Sequence, residues 1–192
     1  DGTIGDSMNL GNGKIVNIPS SYGEITGKNL YHSFKSFDLS SAQEVVFGMP
    51  EGVENVFVRV TGDDMTTLNG EITSSREGGN ITLLSEQGFE LGPDMEIHDF
   101  IGVRIGAVNS IVFDDGNVFN SKVKIDEKFS DAEALYQIKP DQLTGNIKLM
   151  GASIKHDNSA RAGQSDISLF GDVLDMAASI VTTTDGADIN IS

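Results

Sequence analysis

Short apolar segments with alternating or β-branched residues recur along the whole chain, whereas the apolar spacing of amphipathic helices is scarce. Such segments favour strands, because β-branched side chains and period-2 alternation suit a half-buried sheet. The clearest ones span residues 45–47, 56–60, 81–83, 103–105, 123–125, 147–149, 167–169 and 189–191. The pattern therefore predicts an all-β protein.

Two segments are also compatible with a helix. Residues 130–136 start with a serine N-cap candidate, carry Glu133 in the first turn and end before Pro140. They predict either a short helix or a loop insertion. Residues 171–180 are better interpreted as strand and turn, because they belong to a repeat.

That repeat has a period of about 22 residues and starts near Ile81. Residues 146–151 (NIKLMG) align with residues 166–171 (DISLFG), and similar words start at Asn80 and Asp188. The first apolar residues of the repeated triplets are Ile81, Val103, Val123, Ile147, Ile167 and Ile189. Each unit has room for about three short strands, which cannot bury their apolar face alone and must stack.

Stacked units of this kind predict a parallel β-helix, in which each strand pairs with its counterpart about 4.8 Å away in the next coil. The aliphatic residues of the triplets are expected to form columns inside. The polar middle residues are expected to face solvent, because strand side chains alternate between the two faces; they are Thr82, Arg104, Lys124, Lys148, Ser168 and Asn190. A β-sandwich is the alternative fold, although its strands would recur about every 8 to 12 residues.

The first 50 residues lack the repeat and contain four closely spaced aromatic residues. An uncovered sheet edge invites pairing with another chain, so we expect residues 1–50 to form an N-terminal cap and residues 51–192 to form the coils of the same single domain, 1–192. The last residues repeat the strand word, and terminal repeats are usually atypical. We therefore expect the chain to be a piece of a longer solenoid.

Composition narrows the possible partners. Twenty-nine acidic residues against 13 Lys and Arg give a formal charge of −16, which repels nucleic acid and anionic membrane surfaces. No apolar run approaches the about 20 residues of a membrane span, so no membrane insertion is expected. The absence of Cys excludes disulfides, thiol catalysis and Cys-ligated zinc. The chain begins with Asp1 and has no leader, which predicts that a targeting segment has been removed.

Several words in the first 120 residues resemble those of the N-terminal secretion (TPS) domain of two-partner secretion exoproteins, the filamentous-haemagglutinin-like family. They are NLYHSF at residues 29–34, RVTG at 59–62, LNG at 68–70 and NITLLSEQGFELGP at 80–93. The order and spacing match across about the first 120 residues, which makes the combination specific where one word alone is weak. The chain departs at Ser85-Glu86-Gln87-Gly88, where the family has Asn-Pro-Asn-Gly; only the glycine, compatible with a positive φ, is kept.

The resemblance implies a right-handed β-helix with an N-terminal β cap and short extra-helical elements. It implies a non-enzymatic secretion domain without cofactor, acting as a monomer. Its partner would be a TpsB-type outer-membrane β-barrel transporter, and the domain would start the folding of a large adhesin-like exoprotein. The location would be the surface of a Gram-negative bacterium or its surroundings, reached through the periplasm.

The same resemblance gives the candidate site residues. The expected transporter-recognition or cap motif comprises Asn29, Leu30, Tyr31, His32, Ser33, Phe34, Arg59, Val60, Thr61 and Gly62, and the turn motif comprises Ser85, Glu86, Gln87 and Gly88. His32 is interpreted either as a transporter contact or as a hydrogen-bonded residue that holds the cap on the first coil. Arg59 is interpreted either as a recognition cation or as the partner of a carboxylate in the cap. The structural role is favoured for both; for His32 the reason is that Leu30, Tyr31 and Phe34 around it look like packing groups.

Two other functions stay open: a β-helical polysaccharide-active enzyme and a glycan-binding adhesin module. A glycosidase needs two carboxyl groups within about 10 Å, and the predicted outward positions offer cations and hydroxyls instead. Isolated histidines at 98 and 156 predict no metal site. The acidic pairs at 63–64 and 114–115 lack a calcium-loop pattern and are interpreted as solvated turns. Between Phe129 and Phe170 the only aromatic residue is Tyr136, a poor supply for stacking sugar rings.

Overall fold

The structure is a computed structural model that describes residues 4, 13–122, 127–132, 136–137, 142–151, 153–157, 166–177, 180–183 and 189–191. The first strands are β1 Ile15–Ile18, β2 Glu24–Thr26, β3 Asn29–Phe34, β4 Glu44–Phe47, β5 Asn55–Val60, β6 Thr66–Leu68, β7 Glu71–Ser74, β8 Asn80–Ser85, β9 Gly88–Leu91 and β10 Glu96–His98. The others are β11 Gly102–Gly106, β12 Ser110–Phe113, β13 Val118–Asn120, β14 Tyr136–Gln137, β15 Asn146–Met150, β16 Ser153–Asp157, β17 Asp166–Phe170, β18 Val173–Ala177, β19 Ile180–Thr183 and β20 Ile189–Ile191. Helical structure is limited to short 3₁₀ turns in the described residues, among them Ser20–Tyr22.

Three parallel sheets contain most of these strands. Sheet A has the order β1-β4-β7-β10-β16-β19, sheet B has β3-β5-β8-β11-β17-β20 after the edge strand β2, and sheet C has β6-β9-β15-β18. The chain passes from A to B to C and then returns to A, so equivalent strands of successive coils become neighbours. The result is a parallel β-solenoid of about five turns, which confirms the predicted β-helix.

The interior of the coil is filled by inward-facing apolar residues from all three sheets. In sheet B, Val56 pairs with Ile81, Ile81 with Val103 and Val103 with Ile167, so these aliphatic residues stack in a column. Phe47, Phe89 and Phe100 belong to the same core cluster and are fully buried. The predicted alternation therefore holds for the inner face of sheet B.

An insertion, residues 107–145, interrupts the fourth coil between β11 and β15. Its strands β12, β13 and β14 form an antiparallel sheet that belongs to none of the parallel sheets. Apolar residues of the insertion, among them Ile111, Phe113 and Phe119, form a second buried cluster with Tyr31 and Phe57 on the outer face of sheet B. This insertion is an extra-helical element of the kind that the resemblance implies.

Two details of the predicted stacking are wrong. Ile147 does not share the column of Ile167 and Ile189: it lies in sheet C and pairs with Phe89 and Leu174, whereas Ile167 pairs with Ile189 in sheet B. The words at 146–151 and 166–171 look alike because sheets B and C place the same apolar alternation toward one interior. The insertion occupies the stretch that the repeat assigned to a further coil, and Val123 and Lys124 lie outside the described residues.

The second detail concerns the polar middle positions. Thr82 and Ser168 are only 2% and 7% exposed instead of facing solvent. They lie on the outer face of sheet B, the face against which the insertion packs, and a hydrophobic pattern cannot reveal such a cover. Lys148 belongs to sheet C and is half-buried, as is Arg104 in sheet B.

Parallel pairing already starts within the segment expected to form the cap. β1 pairs with β4 and β3 pairs with β5, both in parallel. β2 is the strand that covers an edge, because it runs antiparallel along β3. In the segment 130–136, residues 130–132 are not helical and Tyr136 lies in β14, while residues 133–135 lie outside the described ranges.

Strands β18 and β19 form between residues 173 and 183, which confirms the strand interpretation of residues 171–180 where that segment is described. Within the described residues, no helix reaches the length and apolar character that crossing a membrane requires.

Candidate functional site

The two predicted recognition words lie side by side. β3 and β5 pair in parallel from Asn29 opposite Asn55 to Phe34 opposite Val60, which places Ser33 opposite Arg59. The Thr61 backbone N–H then donates to the Phe34 carbonyl at 2.8 Å, and its hydroxyl donates to the same oxygen at 3.1 Å. We call the joined residues 29–34 and 59–62 the motif seam.

Alternation along the strands divides the motif seam between two environments. Leu30, His32, Phe34 and Val60 face the interior of the coil, where Leu30 and Val60 belong to the main core. Asn29, Tyr31, Ser33 and Arg59 face outward, yet all four are buried. Only Phe34, Thr61 and Gly62 are partly exposed. The insertion explains the burial of the outward residues, since it lies against this face.

An asparagine ladder starts at the motif seam. Asn55 Nδ2 donates to Asn29 Oδ1 at 2.9 Å, and Asn80 Nδ2 donates to Asn55 Oδ1 at 2.8 Å. Asn29 uses its own Nδ2 to donate to the Ser130 carbonyl at 3.0 Å and to the Ala132 carbonyl at 2.9 Å. The ladder therefore links three successive coils and ends on the backbone of the insertion.

Tyr31 is held by aromatic rings and by two hydrogen bonds of its hydroxyl, which accepts from Asn29 Nδ2 at 3.3 Å. Its ring stacks on Phe57 at 5.1 Å and on Phe129 at 4.8 Å, and it meets the edge of Phe119 at 5.0 Å. Its hydroxyl donates to the Ser130 carbonyl at 2.9 Å. Burial raises the pKa of the Tyr31 phenol far above its ordinary value, so the group stays a neutral donor.

Arg59 makes the one buried ion pair between the coil and the insertion that the described residues contain. Its Nη1 lies 2.5 Å from Glu127 Oε2 and donates to the Asn120 carbonyl at 3.1 Å, while its Nε donates to Ser33 Oγ at 2.8 Å. The two charged side chains are 1% and 6% exposed. The guanidinium carbon also lies 5.1 Å from the centre of the Phe119 ring.

The carboxylate partner expected for Arg59 thus comes from the insertion and not from the cap. Glu127 is held in place by its second oxygen, which accepts from the Asn120 backbone N–H at 3.1 Å. These contacts hold the outer face of the second coil against the insertion.

His32 lies on the opposite, inner face of β3. Its ring packs near Phe34 at 6.0 Å and Phe47 at 5.6 Å between centres, and neither ring nitrogen has a hydrogen bond of normal geometry. The hydrogen-bonded role expected for it is therefore not confirmed, and its aromatic contacts are those of a packing residue. Burial lowers the pKa of the His32 imidazole to about 4, and the backbone of Tyr22 acts in the opposite direction. His32 is a neutral core residue of the first coil.

The turn motif forms the corner between sheets B and C. Ser85 ends β8, Glu86 and Gln87 bend the chain, and Gly88 begins β9 with φ of 94°. A Cβ at Gly88 would overlap the Asn146 carbonyl of the next coil, so this position requires glycine. The Glu86 carboxylate meets Lys122 Nζ of the insertion at 3.0 Å.

The remaining candidate residues form no binding centre. His98 Nε2 lies 3.3 Å from Glu96 Oε2 and 3.8 Å from Glu71 Oε1 on the surface of sheet A. Across the described residues, no three His, Asp or Glu side chains converge to hold a metal ion. Asp115 belongs to a turn in the insertion, where the Ser130 hydroxyl donates to it at 2.7 Å and lowers the pKa of its carboxyl.

Sequence reasoning missed the residues that complete the motif seam: Asn120, Glu127, Ser130 and Ala132. A polar or charged residue on its own carries no periodic signal, and these lie 61 to 103 positions from their partners. The ladder did have a signal, because Asn29, Asn55 and Asn80 each begin a strand word.

The fold and the motif seam define a β-helical domain whose first coils are covered by an inserted lateral sheet. The family model described as TPS secretion domain matches residues 6–191. The chain therefore belongs to this family, the secretion domains of two-partner secretion exoproteins. No match was found to a curated protein or to a solved structure.

Family membership gives the coarse function. The chain is a secretion module of the two-partner system, with an outer-membrane TpsB transporter as the implied partner. It belongs to a secreted exoprotein of Gram-negative bacteria.

The ion pair predicts strong coupling between Arg59 and Glu127. Arg59→Met or Glu127→Leu alone should lower the free energy of unfolding by about 3–5 kcal/mol, because each leaves the other charge buried and unpaired. The double variant should recover most of that loss. Urea denaturation of all four proteins measures the coupling, and additive losses would show that the pair is not coupled.

Burial of His32 predicts acid sensitivity. The unfolded chain, with an ordinary histidine pKa of about 6.5, binds more protons than the folded one, so stability is complete above that pH and falls toward pH 4. The loss from this group is about 3 kcal/mol. As the pH falls from 7 to 4, wild type should lose this part of its unfolding free energy, whereas His32→Leu, which lacks the imidazole, should not lose it. If wild type and His32→Leu instead lose stability in parallel as the pH falls, burial of the neutral imidazole does not cause the acid sensitivity.

The corner at Gly88 predicts a steric cost that exceeds backbone strain. Gly116 also has a positive φ of 81°, but nothing lies within 4 Å of an added Cβ. Gly116→Ala should therefore cost only about 1 kcal/mol, and Gly88→Ala about 1–3 kcal/mol more. Equal shifts in the denaturation midpoint would mean that the Asn146 carbonyl moves away at little cost.

Proposed function

We propose that the transporter recognises this domain before it folds, through the words at 29–34 and 59–62, and that the domain then forms the first coils of a longer β-helix. The observation that carries the proposal is the burial of these words. In the folded domain, Asn29, Tyr31 and Arg59 direct their polar groups to internal partners. A protein partner can reach them only while the seam is open.

The role in folding follows from how the coils are built. Each coil pairs with the preceding one through strands of the same register, and the ladder residues Asn29 and Asn55 are separated by only 26 positions. Contacts of such short sequence separation form at low entropic cost. A completed coil then offers three unpaired strand edges, one in each sheet, to the next coil. The domain would in this way start the folding of a large β-helical surface or secreted exoprotein.

Route and state belong to the same proposal. We infer that the chain crosses the periplasm unfolded, that it folds at the cell surface and that the folded domain is a monomer. The absence of Cys supports this route, because a disulfide formed in the periplasm would close a loop that has to pass a narrow pore. The corner Ser85–Gly88 is assigned a structural role, since Gly88 is set by the approach of the next coil.

We further propose that the domain is not an enzyme. In β-helical polysaccharide enzymes, a groove along outward-facing strand positions holds the catalytic groups. Here the outer face of sheet B carries the insertion, and Thr82 and Ser168 are buried there. No contact in the described residues favours a glycan-binding site.

The test separates recognition from folding by breaking one ion pair from either side. Arg59→Met changes a recognition word, whereas Glu127→Leu lies outside both words and removes the same contact. Export through the cognate transporter is measured for each variant and for the double variant, together with the unfolding midpoint of the purified domain.

We expect Arg59→Met to reduce export both alone and in the double variant, where stability is restored. Glu127→Leu should be exported nearly as well as wild type. If export instead follows the unfolding midpoint, with the double variant exported normally, the transporter does not read Arg59 in the unfolded chain.

A further inference from the structure

The contacts that close the motif seam come from a distant part of the chain. Asn29 and Tyr31 reach the Ser130 carbonyl across 101 and 99 positions, and Arg59 reaches Glu127 across 68. Pairing between β3 and β5 needs only residues up to 60. Closure of the outer face and formation of the coils are therefore separate sets of contacts.

The insertion is organised for this closure by contacts of its own. β12 and β13 form a hairpin, and the Asn120 backbone at its end holds the Glu127 carboxylate at 3.1 Å. The Ser130 hydroxyl donates to Asp115 at 2.7 Å, which places the carbonyl that Asn29 and Tyr31 both use. One carboxylate and three carbonyl groups are thus presented together to the outer face of β3 and β5.

We propose that the insertion is a lock that closes over the motif seam as a distinct step after the first coils have paired. Until residues 107–122 and 127–132 are in place, the outward groups of Asn29, Tyr31, Ser33 and Arg59 stay open to solvent or to a partner. The consequence of this late closure for export rests on the proposed function: the transporter would keep access to residues 29–34 and 59–62 until the lock closes. The lock itself is a property of the purified chain and needs no transporter.

The chain has no cysteine, so a single introduced thiol reports the opening of one place. Ser33→Cys puts the probe under the lock, next to Arg59. Ser85→Cys is the matched control: Ser85 is fully buried on the inner face of the same sheet and lacks a hydrogen-bond partner. Both thiols are placed in the wild-type chain and in chains with Glu127→Ala or the milder Glu127→Gln, and their rates of alkylation are measured under native conditions.

We expect Glu127→Ala to raise the labelling rate of Ser33→Cys at least about tenfold, because Arg59 loses its buried counter-charge and the lock opens. The rate at Ser85→Cys should not change. An equal rise at both sites would mean that the domain opens only as a whole, and no rise at Ser33→Cys would mean that Glu127 does not hold the lock. Either result overturns the proposal.

Refolding from denaturant tests the order of events. Pulsed alkylation should show Ser85→Cys protected first, and Ser33→Cys protected together with a thiol at Ser121, a buried residue of the insertion. Protection of Ser33→Cys along with Ser85→Cys would contradict a separate closing step. Where a thiol variant fails to fold, amide exchange of the Cys-free wild type and of Glu127→Gln compares the Asn120 and Ser121 amides of the insertion with the amides of residues 88–91 in the coil. Failure of the lock shows here, whereas failure of transporter recognition shows only in export.

Discussion

Parallel stacking brings equivalent residues of successive coils into contact. The rest of the structure follows from the need to pack the apolar side chains on the inner face of each sheet and to give hydrogen-bond partners to the buried polar groups on the outer face. The inner face of sheet B is packed by residues of the coils themselves, since Val56, Ile81 and Val103 stack in one column. The outer face of the first coils carries Asn29 and Arg59, whose polar groups the coils alone cannot satisfy. A buried polar group without a partner is costly, so an element from outside the coil has to supply one.

The insertion supplies these hydrogen-bond partners through contacts between residues far apart in the sequence, which raises the contact order of the fold. The backbone carbonyls of the insertion and the Glu127 carboxylate bind residues that lie 61 to 103 positions earlier in the sequence, whereas each coil pairs with the coil next to it in the sequence. The molecule thus combines a local, repetitive fold with one non-local closure. Because these two sets of contacts are separate, the first coils can fold early while their outer face is buried later, when the insertion packs on it.

The same division decides what could be predicted from the sequence. The β-helix was predictable because apolar alternation with a regular period reports the inner face directly. The column assignment failed at Ile147, because sheets B and C carry the same alternation and differ only in position along the coil. Glu127 was out of reach, because a single carboxylate does not reveal which distant cation it pairs with.

The chemistry of the closure also has a physical rationale. A buried ion pair such as Arg59 with Glu127 contributes little net stability over a well-packed apolar pair, so stability alone does not account for it. The outer face is only partly apolar, since Tyr31 and Phe57 also lie on it, and a fully apolar face would expose a larger hydrophobic patch beside the unpaired edges of a growing sheet before closure. Charged and amide groups keep that face hydrated while it is open and accept only a partner that presents carbonyls and a carboxylate in the right places. The polar seam therefore favours closure by the chain's own insertion over association with other chains.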